Sequence, residues 1–290
     1  MNNSFRKYTV FNLIKLNLKV CRLPRIICFS IMFFLFISYK IIEPLNDFSL
    51  KYNLDINIWD GFFKVVTYPI IVLCFYLPFV IIVTSIINLK IKHYQYIIVR
   101  SKKKVLWIIS KLIANLLIGL LIATIFFLSA FIISYIFFGF DKNWSSTITN
   151  INVSMKLVDA LYLSNFVFSL TPIQAIIISF LEIYIATAII INFRDVLTNY
   201  ISNIYICDLV ISIYIFISIV SFMYNLTIGI FKIMKYIGMH TIAIISFHRF
   251  DSIKIYDVTL TQSFTISLIF LSILILINLM FNRRLVVKGD

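Results

Sequence analysis

"LIANLLIGLLIATIFFLSAFIISYIFFG", residues 112–139, runs for 28 residues without a charged side chain. At about 1.5 Å of rise per residue, such a run made helical exceeds the about 30 Å hydrocarbon core of a bilayer. The rest of the chain has the same character: 61% hydrophobic and 17% aromatic residues, with only 13% charged. Water-soluble domains average about half apolar and a quarter charged, and a chain this poor in charge has too little polar surface to enclose its own core. The sequence therefore predicts an all-α integral membrane protein, a helix bundle in lipid.

Working outward, six stretches meet the requirement of about 20 predominantly apolar residues per spanning helix: 26–42, 66–89, 112–139, 172–191, 204–222 and 264–281. The second carries Pro69 and Pro78, which predicts a kink. The fourth opens with Thr171, Pro172 and Gln174, a capping box with proline at the first helical position.

Charge fixes the expected orientation. Residues 1–25 and 90–111 carry many Lys and Arg without one acid. With the short 192–203 loop and the tail 282–290, one side gathers 17 of the 26 basic residues. The opposite side has longer loops, 43–65, 140–171 and 223–263, that mix bases with acids. Cytoplasmic loops are the ones enriched in Lys and Arg, so both termini are expected in the cytoplasm. Heavy use of Ile, Asn, Lys, Phe and Tyr with little Ala or Gly is the bias of AT-rich bacterial coding, which gives a bacterial plasma membrane as the expected location.

Two flanking segments depart from simple loops. In residues 5–23, Lys15, Lys19 and Arg22 line one narrow side of a helical wheel, apolar residues fill most of the rest, and Pro24 follows. That pattern predicts an amphipathic helix lying in the cytoplasmic interface. Residues 228–247 are apolar enough to resemble a seventh span, but spanning would place Lys232, Lys235 and His240 in lipid at high cost. A re-entrant or interfacial external segment is expected instead.

Catalytic motifs are absent. There is no G-x-x-x-x-G-K-[ST], no G-x-G-x-x-G and no H-E-x-x-H. The four cysteines, Cys21, Cys28, Cys74 and Cys207, lie in or beside apolar runs and read as packing residues. No catalytic residue, metal site or cofactor of the chain's own is expected. Two acids do fall in apolar runs, Glu182 and Asp208. A buried intramembrane carboxylate is either an ion-coupling group or a polar partner at a helix interface, and both readings stay open, the second being the plainer.

The segment preceding the opening run carries the remaining signal. "IIVRSKKKVLWIISKLIANLLIGLL", residues 97–121, sets Arg100, Lys102, Lys103, Lys104 and Lys111 among large apolar residues, with Tyr96 just before and Trp107 inside. The order of elements is an interfacial helix, two spans, a basic Trp-bearing segment running into a long third span, and a final pair enclosing a semi-apolar external segment. It resembles the permease subunits of ABC transporters of the type-2 exporter class. The resemblance implies that 94–107 is the coupling helix that docks on a separate ATPase. Tyr96, Arg100, Ser101, Lys102, Lys103, Lys104 and Trp107 would make that contact, with Arg194 in a second, smaller one. It further implies two ATPase copies holding ATP and Mg, a second permease, identical or sibling, and an amphipathic, peptide or lipidic cargo, antimicrobial peptides included. The other functions open to such a chain are an ion-coupled carrier using Glu182 and a non-transporting membrane partner or sensor.

Overall fold

The computed structural model describes residues 10–20, 23–86, 104–150, 166–201, 203–224, 230–250 and 258–287. Among these the fold is all-helical, with no strand and one isolated bridge between Arg249 and Thr259. Five helices have the length and composition of membrane spans, and a bent pair makes a sixth.

Helix α1 (Val10–Val20) forms the described part of the amphipathic segment expected over 5–23. Lys15 and Lys19 are exposed, while Leu13 and Asn17 turn inward. Arg22 lies outside the described residues. Helix α2 (Leu23–Tyr52) is the first span. Pro24 sits in its first turn, where no intrahelical N–H is needed, and Pro44 lies inside it. The helix runs beyond the expected span end at residue 42, through Glu43, Asn46 and Asp47, and residues 53–57 connect it to the next helix.

Helix α3 (Ile58–Val66) starts with a capping box, Asn57 accepting from the Trp59 N–H and Asp60 accepting from the Asn57 N–H. After a break at residues 67–69 the chain continues as α4 (Ile70–Ile86), bent by 53° from α3. Pro69 supplies the bend. The first seven residues of α4 are π-helical, with the Leu77 N–H reaching back to the Val72 carbonyl. Pro78, which has no N–H, follows immediately, so the wider turn accommodates its ring.

Helix α5 (Lys104–Phe137) contains the opening run and packs against α1, α2, α3 and α7. A one-turn helix, α6 (Ser146–Thr149), follows. Helix α7 (Pro172–Tyr200) starts with the expected capping box at Thr171 and Gln174. It does not stop at residue 191: the 192–203 loop is a correction, because helix continues to Tyr200 and a short link leads to α8 (Ile204–Tyr224). Then come α9 (Ile230–Ile237), α10 (Met239–Ala243), a 3-10 turn (Ile245–Phe247) and the last span, α11 (Leu260–Val287).

Hydrogen bonds define the two ends of the bundle. At one end the α2–α3 and α5–α6 connections join, through Trp59 Nε1 to the Asp141 carbonyl at 2.7 Å and Asn57 Nδ2 to the Asn143 carbonyl at 2.8 Å. At the other end α1 meets the start of α5, Asn17 Nδ2 donating to Ser110 Oγ at 3.2 Å. Between them lies an aromatic core in which Phe34 meets Tyr76, Phe79 and Phe126, and Tyr76 also meets Phe126. Large apolar side chains such as Phe29, Phe36, Leu128, Ile132, Phe216 and Leu276 point outward, as suits a lipid-facing surface and not an aqueous one.

Residues 239–248 are buried throughout and pack on α7, α8 and α11. The Met239 N–H donates to Ser218 Oγ at 3.1 Å, and the Tyr214 hydroxyl donates to the Ile237 carbonyl. Tyr214 stands ten residues before the end of α8, so the segment reaches about 15 Å along that helix. The described part of the semi-apolar stretch is thus a helix–break–helix packed into the bundle.

Candidate functional site

Two clusters of buried polar residues contain the acids and the arginine singled out in the sequence. The first lies at the end shared by α1 and the start of α5. Arg194 and Asp195 are consecutive on α7, and side chains one residue apart on a helix diverge by about 100°. Each therefore reaches a different neighbour. Arg194 is fully buried; its Nε lies 2.6 Å from Asp208 Oδ1 on α8, and its Nη2 donates to Ser85 Oγ, on α4, at 2.8 Å. Ser85 Oγ is in turn 2.7 Å from Asp208 Oδ2. Asp195, also buried, accepts from Asn115 Nδ2 at 2.6 Å and pairs with Lys111 Nζ at 3.2 Å, both on α5. One turn away, Asn278 of α11 donates to the Asn192 carbonyl and accepts from Asn199, both at 3.1 Å.

These contacts tie α4, α5, α8 and α11 to the last turns of α7. Their placement is specific: Ser85 is the last but one residue of α4, and Lys111 and Asn115 occupy the first turns of α5. The basic segment 87–103 joins those two helices. Its two anchors are thus held by adjacent residues of one helix.

Arg194 does not sit on a surface loop. It lies within α7, and its side chain is fully buried. Asp208, expected near headgroup depth, is its counter-ion. Tyr96, Arg100, Ser101, Lys102 and Lys103 lie outside the described residues, and Lys104 and Trp107 fall in the first turn of α5. Lys111, Asn115, Ser85 and Asp195 were missed as site residues by reading the sequence. An Arg-Asp pair inside a helix and a Lys-x-x-x-Asn on one helical face were the available signals.

The second cluster lies where residues 239–248 meet α7. Glu182 Oε1 and His248 Nε2 are 2.6 Å apart, with side chains 2% and 0% exposed. Among the described residues neither group makes a hydrogen bond of good geometry: both Glu182 oxygens and both His248 ring nitrogens are buried, and the 2.6 Å approach is a close ion-pair contact. His240, on α10, is buried beside them. Glu182 is thus buried where α7 meets the inserted segment, and the group against it is a histidine distant in sequence. The described residues hold no group of three or more His, Cys, Asp or Glu able to bind a metal ion. Cys28, Cys74 and Cys207 are free thiols.

No family model, no curated protein and no solved structure matches the chain.

Proposed function

We propose that this chain is the membrane-spanning permease subunit of an ATP-driven ABC exporter, moving a peptide, amphipathic or lipidic compound across a bacterial plasma membrane. A separate ATPase, present in two copies and holding ATP and Mg, docks on the cytoplasmic segment 94–107. A second permease, identical or sibling, completes the assembly, and both termini of this chain are cytoplasmic. The observation that carries the reading is the clamp around the basic segment: Ser85 before it and Lys111 and Asn115 after it are held by Arg194 and Asp195. A displacement of 94–107 by a partner would be passed through that clamp to α7 and α8 as a unit, which is what a subunit without an ATP site of its own requires.

Co-purification tests it. The tagged chain is expressed with its neighbouring genes, extracted in mild detergent, and its stoichiometric partners are identified. An ATPase that is retained, and lost on neutralising Arg100, Lys102, Lys103 and Lys104, is the expected result. A preparation without an ATPase sinks the reading. The buried Glu182–His248 pair favours a second one, an ion-coupled carrier. In that case Glu182→Gln abolishes flux while neutralising the basic segment spares it.

A further inference from the structure

The Glu182–His248 pair joins two parts of the fold of unequal standing. Glu182 belongs to α7, a 29-residue helix buried in the bundle. His248 ends the inserted segment 239–248, which has only short helical turns of its own and is held by its packing on α7, α8 and α11 and a few side-chain hydrogen bonds. Among the described residues the surroundings of the pair are poor in charge. Helix α5 carries no charged residue from 112 to 137, and α11 none from 260 to 281. Helix α4 brings the Tyr76 hydroxyl, bonded to Thr187. The charges of α7 and α8 other than Glu182, namely Arg194, Asp195 and Asp208, are engaged in the clamp at the far end. His240 on α10 is the other titratable group at the pair, Lys232 and Lys235 belong to the neighbouring α9, and Arg249 next to His248 is exposed.

Such a pair has one favourable charge state. With no proton it is a bare buried carboxylate, net −1; with two it is a buried imidazolium beside a carboxylic acid, net +1. Either uncompensated charge is strongly disfavoured in a low-dielectric interior. One proton makes the pair neutral whichever group carries it, and the two groups titrate as a unit. We propose that Glu182 and His248 together form a buried proton-binding site, which holds a single proton while residues 239–248 are seated and releases it to water when they leave.

The sign follows from the opened state. In water a glutamate loses its proton near about 4.3 and an imidazole near about 6.5. Above about pH 6.5 the opened pair holds no proton, so seating takes one up and is weakened as the pH rises. Between the two ordinary values seating is proton-neutral. Below about pH 4.3 the opened pair holds two, so strong acid also opposes seating. The site stands independently of any ATPase, since none of its residues belongs to the clamp around the basic segment.

The chain contains three histidines, His93, His240 and His248, which makes a direct measurement practical. The full chain is labelled with nitrogen-15 histidine, placed in lipid nanodiscs, and its ring signals are recorded from about pH 6 to about pH 8.5, on either side of the ordinary imidazole range. His248→Gln identifies the relevant signal; should that variant fail to fold, His93→Gln and His240→Gln identify it by elimination. The infrared carboxyl band lost in Glu182→Gln reports the other group. The expected result at about pH 7.5 is one proton on the pair, either as an imidazolium with an ionised carboxylate or as a neutral ring with a carboxylic acid. A neutral ring beside an ionised carboxylate at that pH overturns the proposal.

Discussion

Arg194 and Asp208 face each other across α7 and α8, Nε to Oδ1 at 2.6 Å, with the guanidinium fully buried and the carboxylate one-fifth exposed. Ser85 closes the triangle from α4. A buried ion pair is a weak source of net stability, because desolvating two charges offsets most of their attraction. What it does provide is intolerance of any arrangement that separates them. Three helices that could slide past one another as smooth apolar rods are held in one register by this triangle.

Removing one member should therefore cost more than removing both. Asp208→Asn leaves Arg194 charged and buried, and is expected to destabilise by about 2–3 kcal/mol, somewhat under the about 3–5 kcal/mol of a fully buried pair because Asp208 reaches solvent. Arg194→Met combined with Asp208→Leu should recover most of that loss. Thermal unfolding of the two variants in detergent checks this, and a double variant no better than Asp208→Asn would contradict it.

The adjacent Asp195 separates structure from coupling. Asp195→Asn keeps the shape and a hydrogen-bonding side chain facing Asn115, but loses the charge that faces Lys111 at 3.2 Å. A hydrogen bond to a charged group contributes about 1.5–3 kcal/mol, and a loss at the lower end is expected since Lys111 is partly exposed. Under the proposed function the ATPase should still co-purify while transport driven by it falls. Undiminished transport in this variant would place force transmission elsewhere.

Not every buried polar contact in this bundle should be costly. The Tyr76 hydroxyl and Thr187 Oγ1 are 2.7 Å apart, but Thr187 also bonds the Ile183 carbonyl of its own helix. Tyr76→Phe removes one hydrogen bond without leaving a buried donor stranded, so a loss of about 0.5–1.5 kcal/mol is expected. Thermal unfolding beside Asp208→Asn gives the comparison; an equal loss in the two would mean that Tyr76 has a role beyond this bond.

Local signals in the chain translated well into structure. The Thr171 and Gln174 capping box starts α7, Pro69 marks the bend before α4, and the amphipathic wheel around Lys15 and Lys19 is α1. Helices run on past polar residues at which the expected spans end. A helix satisfies its backbone internally whatever its side chains are, so α2 continues past Glu43 and α7 past Asn192. The two clusters were the least legible. Arg194 with Asp208 and Glu182 with His248 are tertiary pairings, set by how helices pack, and no spacing along the chain encodes them.

Gly238 tests the inserted segment directly. It separates α9 from α10, and a Cβ placed there would lie 2.4 Å from the Met234 carbonyl oxygen and 2.7 Å from the His240 ring. The carbonyl is backbone and has little room to yield, because the Gly238 N–H is bonded to it at 2.9 Å. Gly238→Ala should therefore shift the start of α10, weakening the Met239 N–H contact with Ser218 and the seating of residues 239–248 behind it. A core overpacked by one methyl group loses about 1–3 kcal/mol. Hydrogen exchange over 239–248 in the nanodisc-embedded chain is the measurement. Faster exchange confined to that segment is expected, and exchange unchanged from the parent protein would mean that the break at Gly238 tolerates a side chain and that the segment is held by other contacts.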